Sequence, residues 1–213
     1  MPLPMVHLGV ARKIALENTK LIQNPLYYLG SIAPDAIHSR VNSSKLDKCK
    51  THIRSNDSTW YADSMEFALK HKNREGKVEP FYIGYEIHIL IDLLWEDSVH
   101  CNMRKMMDRD NIKKCNQSSI YYSETDQLDF NLFKYYQWRS EVWGFIYKAD
   151  ALDVDEVLTK EEIDKWRIRT LHWYDSGVSK YNDPIKYLNL NILNDFINNA
   201  SDIIMEMITG VLV

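Results

Sequence analysis

Residues 81–95, FYIGYEIHILIDLLW, are the most apolar stretch of the chain, yet they include Glu86, His88 and Asp92. The stretch is shorter than the about 20 apolar residues needed to cross a bilayer, and three ionisable groups interrupt it. Only Gly84 within it opposes helix formation. We therefore predict a helix that begins near Pro80, continues to about residue 107 and has its first half buried in the protein core.

His88 and Asp92 lie four residues apart, so on a helix they are only about 40° apart around the axis, whereas Glu86 points elsewhere. Burying an ionised carboxylate without a strong partner is costly, and a divalent cation is one of the few partners that offsets this cost. The two side chains could also bond to each other in a metal-free core. The pair alone leaves both interpretations open.

Apolar periodicity elsewhere in the chain also indicates helices, and no alternating strand pattern or internal repeat is present. We predict an all-α protein with a single domain over residues 1–213, built as a bundle of about seven helices. Asp57 or Ser58 is the predicted cap of the third helix, and Thr159 and Glu162 have the spacing of a capping box. Residues 33–57 are predicted to be a loop. The predicted helices cover residues 5–22, 25–32, 59–73, 80–107, 129–149, 159–178 and 190–210.

The charge balance narrows the range of partners. A formal net charge of -4 offers no basic footprint for a long nucleic acid, although a small phosphate-containing ligand is compatible with it. Cys49, Cys101 and Cys115 are odd in number and lack C-x-x-C spacing, which indicates free thiols in a reducing compartment. The first twenty residues lack the pattern of a secretory signal. We expect a cytoplasmic protein without a transmembrane segment, and the sequence leaves its oligomeric state open.

Three other segments carry potential metal ligands. His7 lies in the first turn of an apolar helix face, Asp35 lies in the stretch YLGSIAPDA, and His52 follows Thr51 in KCKTHIRSND. Zinc accepts imidazole nitrogen and carboxylate oxygen, and two ligands four residues apart on a helix are a common way to hold it. His38 is either a spare ligand or acid beside such a site, or an ordinary loop histidine.

These segments resemble the N-terminal part of the zinc-dependent phospholipase C family, whose all-helical fold is shared with single-strand-specific nucleases. The resemblance rests on His7, YLGSIAPDA, THI and GYEIHILIDLLW, in that order, and covers about residues 5–96. It implies a cluster of divalent metals, normally three zincs, that hydrolyses phosphate esters. It further implies one metal held by Asp35, His52, His88 and Asp92, a second held by His7 with Asp92 as a bridge, and Asp35 as the residue that orients the nucleophilic water.

The chain departs from that family in two ways. In secreted members the amine of an N-terminal tryptophan binds one metal, whereas this sequence reads Met1-Pro2-Leu3. The remaining metal of that family uses a further His and a downstream H-x-x-x-E, whereas here the late His172 is followed four residues later by Ser176. We therefore predict one or two ions, of zinc or another divalent metal.

Two functional hypotheses follow. The first is a metal-dependent hydrolase of a phosphate ester or phosphodiester, acting on a small phosphate-containing substrate or a phospholipid. The second is a metal-stabilised helical binding or scaffold domain without turnover. A metal-free polar network in the core is a third interpretation.

Overall fold

The computed structural model describes residues 3–210, so both ends of the predicted domain lie outside the described residues. Within that range the chain forms ten α-helices, one 3₁₀ helix and one π-helical segment, and it contains no β-strand, only two isolated bridges. The all-α prediction is confirmed, and the number of about seven helices is wrong. The α-helices are α1 (Pro4–Leu16), α2 (Pro25–Gly30), α3 (Lys45–Thr51), α4 (Trp60–Lys70), α5 (Pro80–Trp95), α6 (Cys101–Arg109), α7 (Lys114–Tyr135), α8 (Arg139–Lys148), α9 (Lys160–Leu171) and α10 (Leu190–Ile208).

Two of the additional elements lie where the sequence predicted a loop. The 3₁₀ helix covers Ala33–Ser39, and α3 follows it after a short turn. Ser44 caps α3 by accepting a hydrogen bond from the backbone N–H of Asp47, whose carboxylate accepts one from the backbone N–H of Ser44. This capping box is visible in the sequence, but seven residues are too few to show a helical period.

Helix α7 begins well before the predicted residue 129, because much of its buried face is polar and gives no apolar stripe. The carboxylate of Glu124, for example, accepts hydrogen bonds from three backbone N–H groups of residues 186–188. The predicted helix over residues 129–149 is also interrupted, because the backbone of Tyr136 is extended between α7 and α8. The buried polar residues of α7 are Gln117, Ser123, Glu124, Thr125, Asp126 and Asp129.

The long helix after Pro80 agrees better with the sequence prediction. Helix α5 continues through the π-helical segment Glu96–His100 into α6. The capping box of Thr159 and Glu162 at the start of α9 is confirmed. The N-cap of α4 is Thr59 rather than the predicted Asp57 or Ser58, and its side chain makes no capping hydrogen bond.

Helices α2 and α5 pack with their backbones in contact, because a glycine on each helix removes the side chain at the crossing. A Cβ atom at Gly30 would lie 2.0 Å from the carbonyl oxygen of Phe81, and one at Gly84 would lie 2.1 Å from that of Tyr27. Such distances exclude any larger residue unless the helices separate. The close crossing brings Ser31, the C-cap residue of α2, against the buried face of α5.

Helix α5 is the central element of the hydrophobic core, since thirteen of its residues are buried. It packs against α1, α2, α4 and α10. Over residues 3–210, none of the helices is long and apolar enough to cross a membrane.

Candidate metal centre

The five side chains that the sequence singled out as metal ligands converge at one buried point. His7 comes from α1, Asp35 from the 3₁₀ helix, and His52 from the residue that ends α3. His88 and Asp92 lie one turn apart on α5. All five are buried, with exposed fractions between 0% for His88 and 8% for Asp35.

The backbone around His52 is fixed by hydrogen bonds from two aromatic residues. The indole N–H of Trp60 donates to the carbonyl oxygen of His52 over 2.7 Å, and the hydroxyl of Tyr85 donates to that of Thr51. Ile53 then adopts a positive φ of 50°, which turns the chain away. The end of α3 is thereby held so that the imidazole of His52 faces α5.

Backbone carbonyl groups determine the tautomers of two of the histidines. Nδ1 of His88 lies 2.9 Å from the carbonyl oxygen of Ser31, and Nδ1 of His52 lies 3.0 Å from that of Lys48. A carbonyl oxygen can only accept, so each Nδ1 carries the proton. In a neutral imidazole with this tautomer, Nε2 is an acceptor with a free lone pair. Metal-bound histidines are commonly oriented in this way.

These Nε2 atoms face carboxylate oxygens, which are also acceptors. Nε2 of His52 lies 3.5 Å from Oδ1 of Asp35 and 3.5 Å from Oδ2 of Asp92. Nε2 of His88 lies 3.9 Å from Oδ2 of Asp92. His7 reaches the other carboxylate oxygen of Asp92, with Nε2 3.6 Å from Oδ1.

The distances exceed those of charge-assisted hydrogen bonds, which are about 2.7–2.9 Å. Two ligands bound about 2.0–2.2 Å from the same tetrahedral cation lie roughly 3.3–3.6 Å apart, close to the observed spacing. The donor set of imidazole nitrogens and carboxylate oxygens also fits a divalent metal. Seven buried atoms of the five residues have no hydrogen-bond partner among residues 3–210: Nδ1 and Nε2 of His7, Oδ1 of Asp35, Nε2 of His52, Nε2 of His88, and both carboxylate oxygens of Asp92.

The ligand atoms form two groups of three that could each hold one ion. One group contains His7, His88 and Asp92, and the other contains Asp35, His52 and His88. His88 belongs to both groups, but its single free lone pair, at Nε2, can bind only one ion at a time, whereas the sequence hypothesis places Asp92 as the bridge. The two oxygens of Asp92 nevertheless face different histidines, so this carboxylate also lies between the groups.

The environment of His7 and His88 favours the neutral imidazole. Burial lowers the pKa of both residues; the nearby imidazoles of His88 and His52 lower the pKa of His7 further, and that of His52 lowers the pKa of His88 further. Burial also raises the pKa of Asp92. Both effects have the same physical cause, because charge is costly where water is excluded.

Glu86 takes no part in the cluster. It points from α5 towards α4, where the hydroxyl of Ser64 donates to its Oε1 over 2.9 Å. Burial raises the pKa of Glu86 to about 8, so the carboxyl is protonated at neutral pH. The sequence prediction that Glu86 faces away from His88 and Asp92 is thus confirmed.

Three other polar residues considered from the sequence lie outside the two groups. His38 is exposed, and its Nε2 lies 3.7 Å from Oδ1 of Asp35. Arg54 is paired with Asp57 and Glu96, so its guanidinium is already occupied by carboxylates. His172 lies at the surface and bonds to Asp175.

Two cavities reach the cluster, and Lys48 lines both of them. One of about 210 Å³ touches His52 and Asp92, and the other of about 410 Å³ touches Asp35. The larger one is lined by residues from α9 and from the segment before α10, which sequence reasoning did not connect with the site. No local pattern could have revealed them, because the aromatic residues of α9 have the spacing of ordinary core residues.

Comparisons with protein-family models, with curated proteins and with solved structures give no significant match to the chain. The resemblance to zinc-dependent phospholipases C therefore rests on the ordered segments and on the clustering of their His and Asp residues. What is shown is an all-helical protein with buried His/Asp groups that could bind metal.

Proposed function

We propose that the protein is a metal-dependent hydrolase of phosphate esters, with His7, Asp35, His52, His88 and Asp92 as ligands of one or two zinc or other divalent ions. The observation that carries this proposal is the convergence of lone pairs at the cluster. Imidazole nitrogens and carboxylate oxygens from four segments face one another without hydrogen-bond partners among residues 3–210, and a divalent cation is a partner that all of them can bind.

A divalent ion bound there supplies positive charge that acidifies water and stabilises the charge that develops on a transferred phosphoryl group. The remaining roles belong to the chain. The carbonyl oxygens of Ser31 and Lys48 hold the imidazoles of His88 and His52 in the ligating tautomer. Asp35 is the ligand most exposed to a cavity, so we assign it the orientation of the water that attacks phosphorus.

The reaction breaks the bond between phosphorus and the ester oxygen. The oxygen of water bonds to phosphorus and gives up a proton, and the leaving oxygen takes up one proton in exchange, so that phosphate and an alcohol are released from a monoester. Asp35 orients the water through a carboxylate oxygen. Because Lys48 lines both cavities, we assign its ammonium group the binding of a phosphoryl oxygen.

An activity assay tests this proposal. Purified protein is incubated with zinc or manganese and with p-nitrophenyl phosphate, bis-p-nitrophenyl phosphate or phosphatidylcholine. We expect turnover of at least one phosphate ester, reduced by more than about 100-fold in Asp35→Asn and Asp92→Asn. His172→Ala, which alters an exposed histidine, is the matched control and is expected to retain activity. Equal rates in wild type and Asp92→Asn would contradict the proposal.

The second candidate is a metal-stabilised binding or scaffold domain. The burial of all five ligands favours it, because structural metal sites are closed whereas catalytic ones keep an open position. Absence of turnover combined with stoichiometric metal, and with loss of stability on metal removal, would support this alternative.

A further inference from the structure

The cavity of about 410 Å³ beside Asp35 contains a group of cations, which we call the cationic pocket. It is lined by Asp35, His38, Lys48, Trp166, Arg169 and Lys180, among others. Among residues 3–210, no carboxylate lies within ion-pair distance of Lys48, Arg169 or Lys180. Its volume suits a small organic ligand.

Aromatic rings hold two of the cations in place. The guanidinium of Arg169 lies 5.0 Å from the ring centre of Trp166 and 4.9 Å from that of Trp173. The ammonium of Lys180 lies 4.9 Å from the ring centre of Tyr181. Stacking of a guanidinium on aromatic faces leaves its N–H groups free to donate to an anion.

The cationic pocket is continuous with the metal centre. Nε2 of His38 lies 3.7 Å from Asp35, and the ring of His38 lies 5.8 Å from that of Trp166, on which Arg169 stacks. The pocket wall thus runs from a metal-centre carboxylate to the guanidinium. A ligand bound at Asp35 would extend along this wall.

A salt bridge fixes the wall against the metal centre. Arg40, at the end of the 3₁₀ helix that carries Asp35, binds the carboxylate of Glu162 near the start of α9 with two hydrogen bonds of 2.5 and 3.0 Å. Because α9 also carries Arg169, the guanidinium is held at a defined position relative to Asp35.

The charged side chains that line the cationic pocket favour an anionic ligand over a cationic one. Besides Asp35, the lining contains the carboxylate of Asp126, which accepts a hydrogen bond from the hydroxyl of Ser179. Three cations therefore face two carboxylates, one of which is an assigned metal ligand. A choline headgroup is disfavoured, because the indole faces that would enclose a quaternary ammonium already carry Arg169.

We infer that the substrate is a phosphate ester with a second anionic group, which Arg169 and Lys180 bind while the scissile phosphate lies at Asp35. This inference rests on the proposed function, since it places the scissile phosphate at the metal centre. It deepens that function by assigning the substrate a chemical class.

Two non-hydrolysable phosphonates test the inference without turnover. Zinc-loaded protein is titrated calorimetrically with phenylphosphonate and with 4-phosphonobenzoate, which differs by one added carboxylate. We expect 4-phosphonobenzoate to bind about tenfold more tightly than phenylphosphonate, because its carboxylate adds one charge-assisted hydrogen bond. The preference is expected to vanish in Arg169→Gln and to fall in Lys180→Gln. It is expected to persist in Lys165→Gln, which removes an exposed cation of the same helix.

Equal affinities for the two phosphonates in the wild type, no binding of either, or a preference that persists in Arg169→Gln would overturn the inference. Tighter binding of phosphocholine than of 4-phosphonobenzoate would do the same. If only the proposed function fails, the outcome differs: the protein would still bind 4-phosphonobenzoate more tightly than phenylphosphonate, but it would not hydrolyse p-nitrophenyl phosphate.

A vesicle experiment distinguishes a lipid headgroup from a soluble ester. Wild type and Arg169→Gln are sedimented with phosphatidylcholine vesicles that contain or lack phosphatidylinositol 4-phosphate. If the wild type sediments with the phosphoinositide vesicles and Arg169→Gln does not, the second anionic group belongs to a lipid headgroup. Equal partitioning, together with the preference for 4-phosphonobenzoate, would assign it to a soluble compound.

Discussion

The imidazole rings of His7 and His88 stack face to face, with centroids 3.8 Å apart and planes 3° from parallel. Because two protonated rings would repel each other at this distance, the stack fits neutral imidazoles whose lone pairs are available. Both Nε2 atoms lie near the carboxylate of Asp92. The contact joins α1 to α5 at the candidate metal centre.

Metal content should depend on which of these two histidines is removed. His88 belongs to both groups of ligands and His7 to one, but the single free lone pair of His88, at Nε2, can bind only one ion. We expect His7→Ala and His88→Ala each to lose at least about one equivalent of metal, and the loss to be larger in His88→Ala where its two groups compete for the same nitrogen. Mass spectrometry of the metals in protein purified without added metal measures this. His172→Ala should match the wild type, and unchanged content in His88→Ala would refute the metal centre.

Chelation should lower thermal stability. In the metal-free protein the acceptors of the cluster face one another within a buried region, and metal binding to the folded state stabilises it by mass action. We expect the Tm to fall by about 10 °C with a strong chelator and to recover with zinc. Differential scanning calorimetry measures the shift. In Asp92→Asn the chelator should lower the Tm by much less than in the wild type. A decrease in Tm as large as that of the wild type would show that the His/Asp cluster is not the metal site responsible.

The helix crossing should tolerate no added methyl group at Gly84. A Cβ there would meet the carbonyl oxygen of Tyr27 at 2.1 Å and would displace Ser31 from His88. We expect Gly84→Ala to lower the free energy of unfolding by more than about 3 kcal/mol and to reduce metal content. Urea unfolding and metal analysis measure the two effects.

Gly144→Ala is the matched control for that substitution. Gly144 also lies within a helix, but an added Cβ would have no atom within 4 Å. It should raise the free energy of unfolding by about 0.5–1 kcal/mol, because alanine restricts the unfolded chain. A similar loss of stability in both variants would contradict the role assigned to the crossing.

Asp129 should make stability fall as pH rises. Its buried carboxyl accepts hydrogen bonds from the backbone N–H of Met5 and the hydroxyl of Tyr174. Burial raises the pKa of Asp129 from 3.8 to about 8. The folded state therefore binds a proton that the unfolded state releases. Between about pH 4 and 8 the folded state loses up to about 1.4 kcal/mol of stability per pH unit through this group.

Asp129→Asn should remove that pH dependence while keeping an acceptor for Met5. Urea unfolding of both proteins between pH 5 and 8 tests this. As pH rises, the free energy of unfolding of the variant should increase relative to that of the wild type. Glu86, whose pKa is also raised to about 8, contributes equally to both proteins and cancels in this comparison. Parallel pH profiles would show that Asp129 is ionised in the folded protein.

The segment of residues 81–95 by itself specified a buried helix, because its apolar run is long and its ends are marked by Pro80 and a polar stretch. Four-residue spacing also placed His88 and Asp92 on one face. Helix α3 was missed because it is short, and the first half of α7 was missed because its buried face is polar. Periodicity detects apolar faces only, so helices that bury polar groups escape it.

Local sequence therefore determined that the chain is helical and which residue types could bind metal, since helical periodicity and ligand chemistry are short-range properties. The tertiary structure alone decided that His7, Asp35 and His52 meet the α5 pair, and that the carbonyls of Ser31 and Lys48 turn Nε2 inward. It also placed the cationic pocket beside Asp35. These relationships join segments that are distant in the chain, and they exist only once the helices pack.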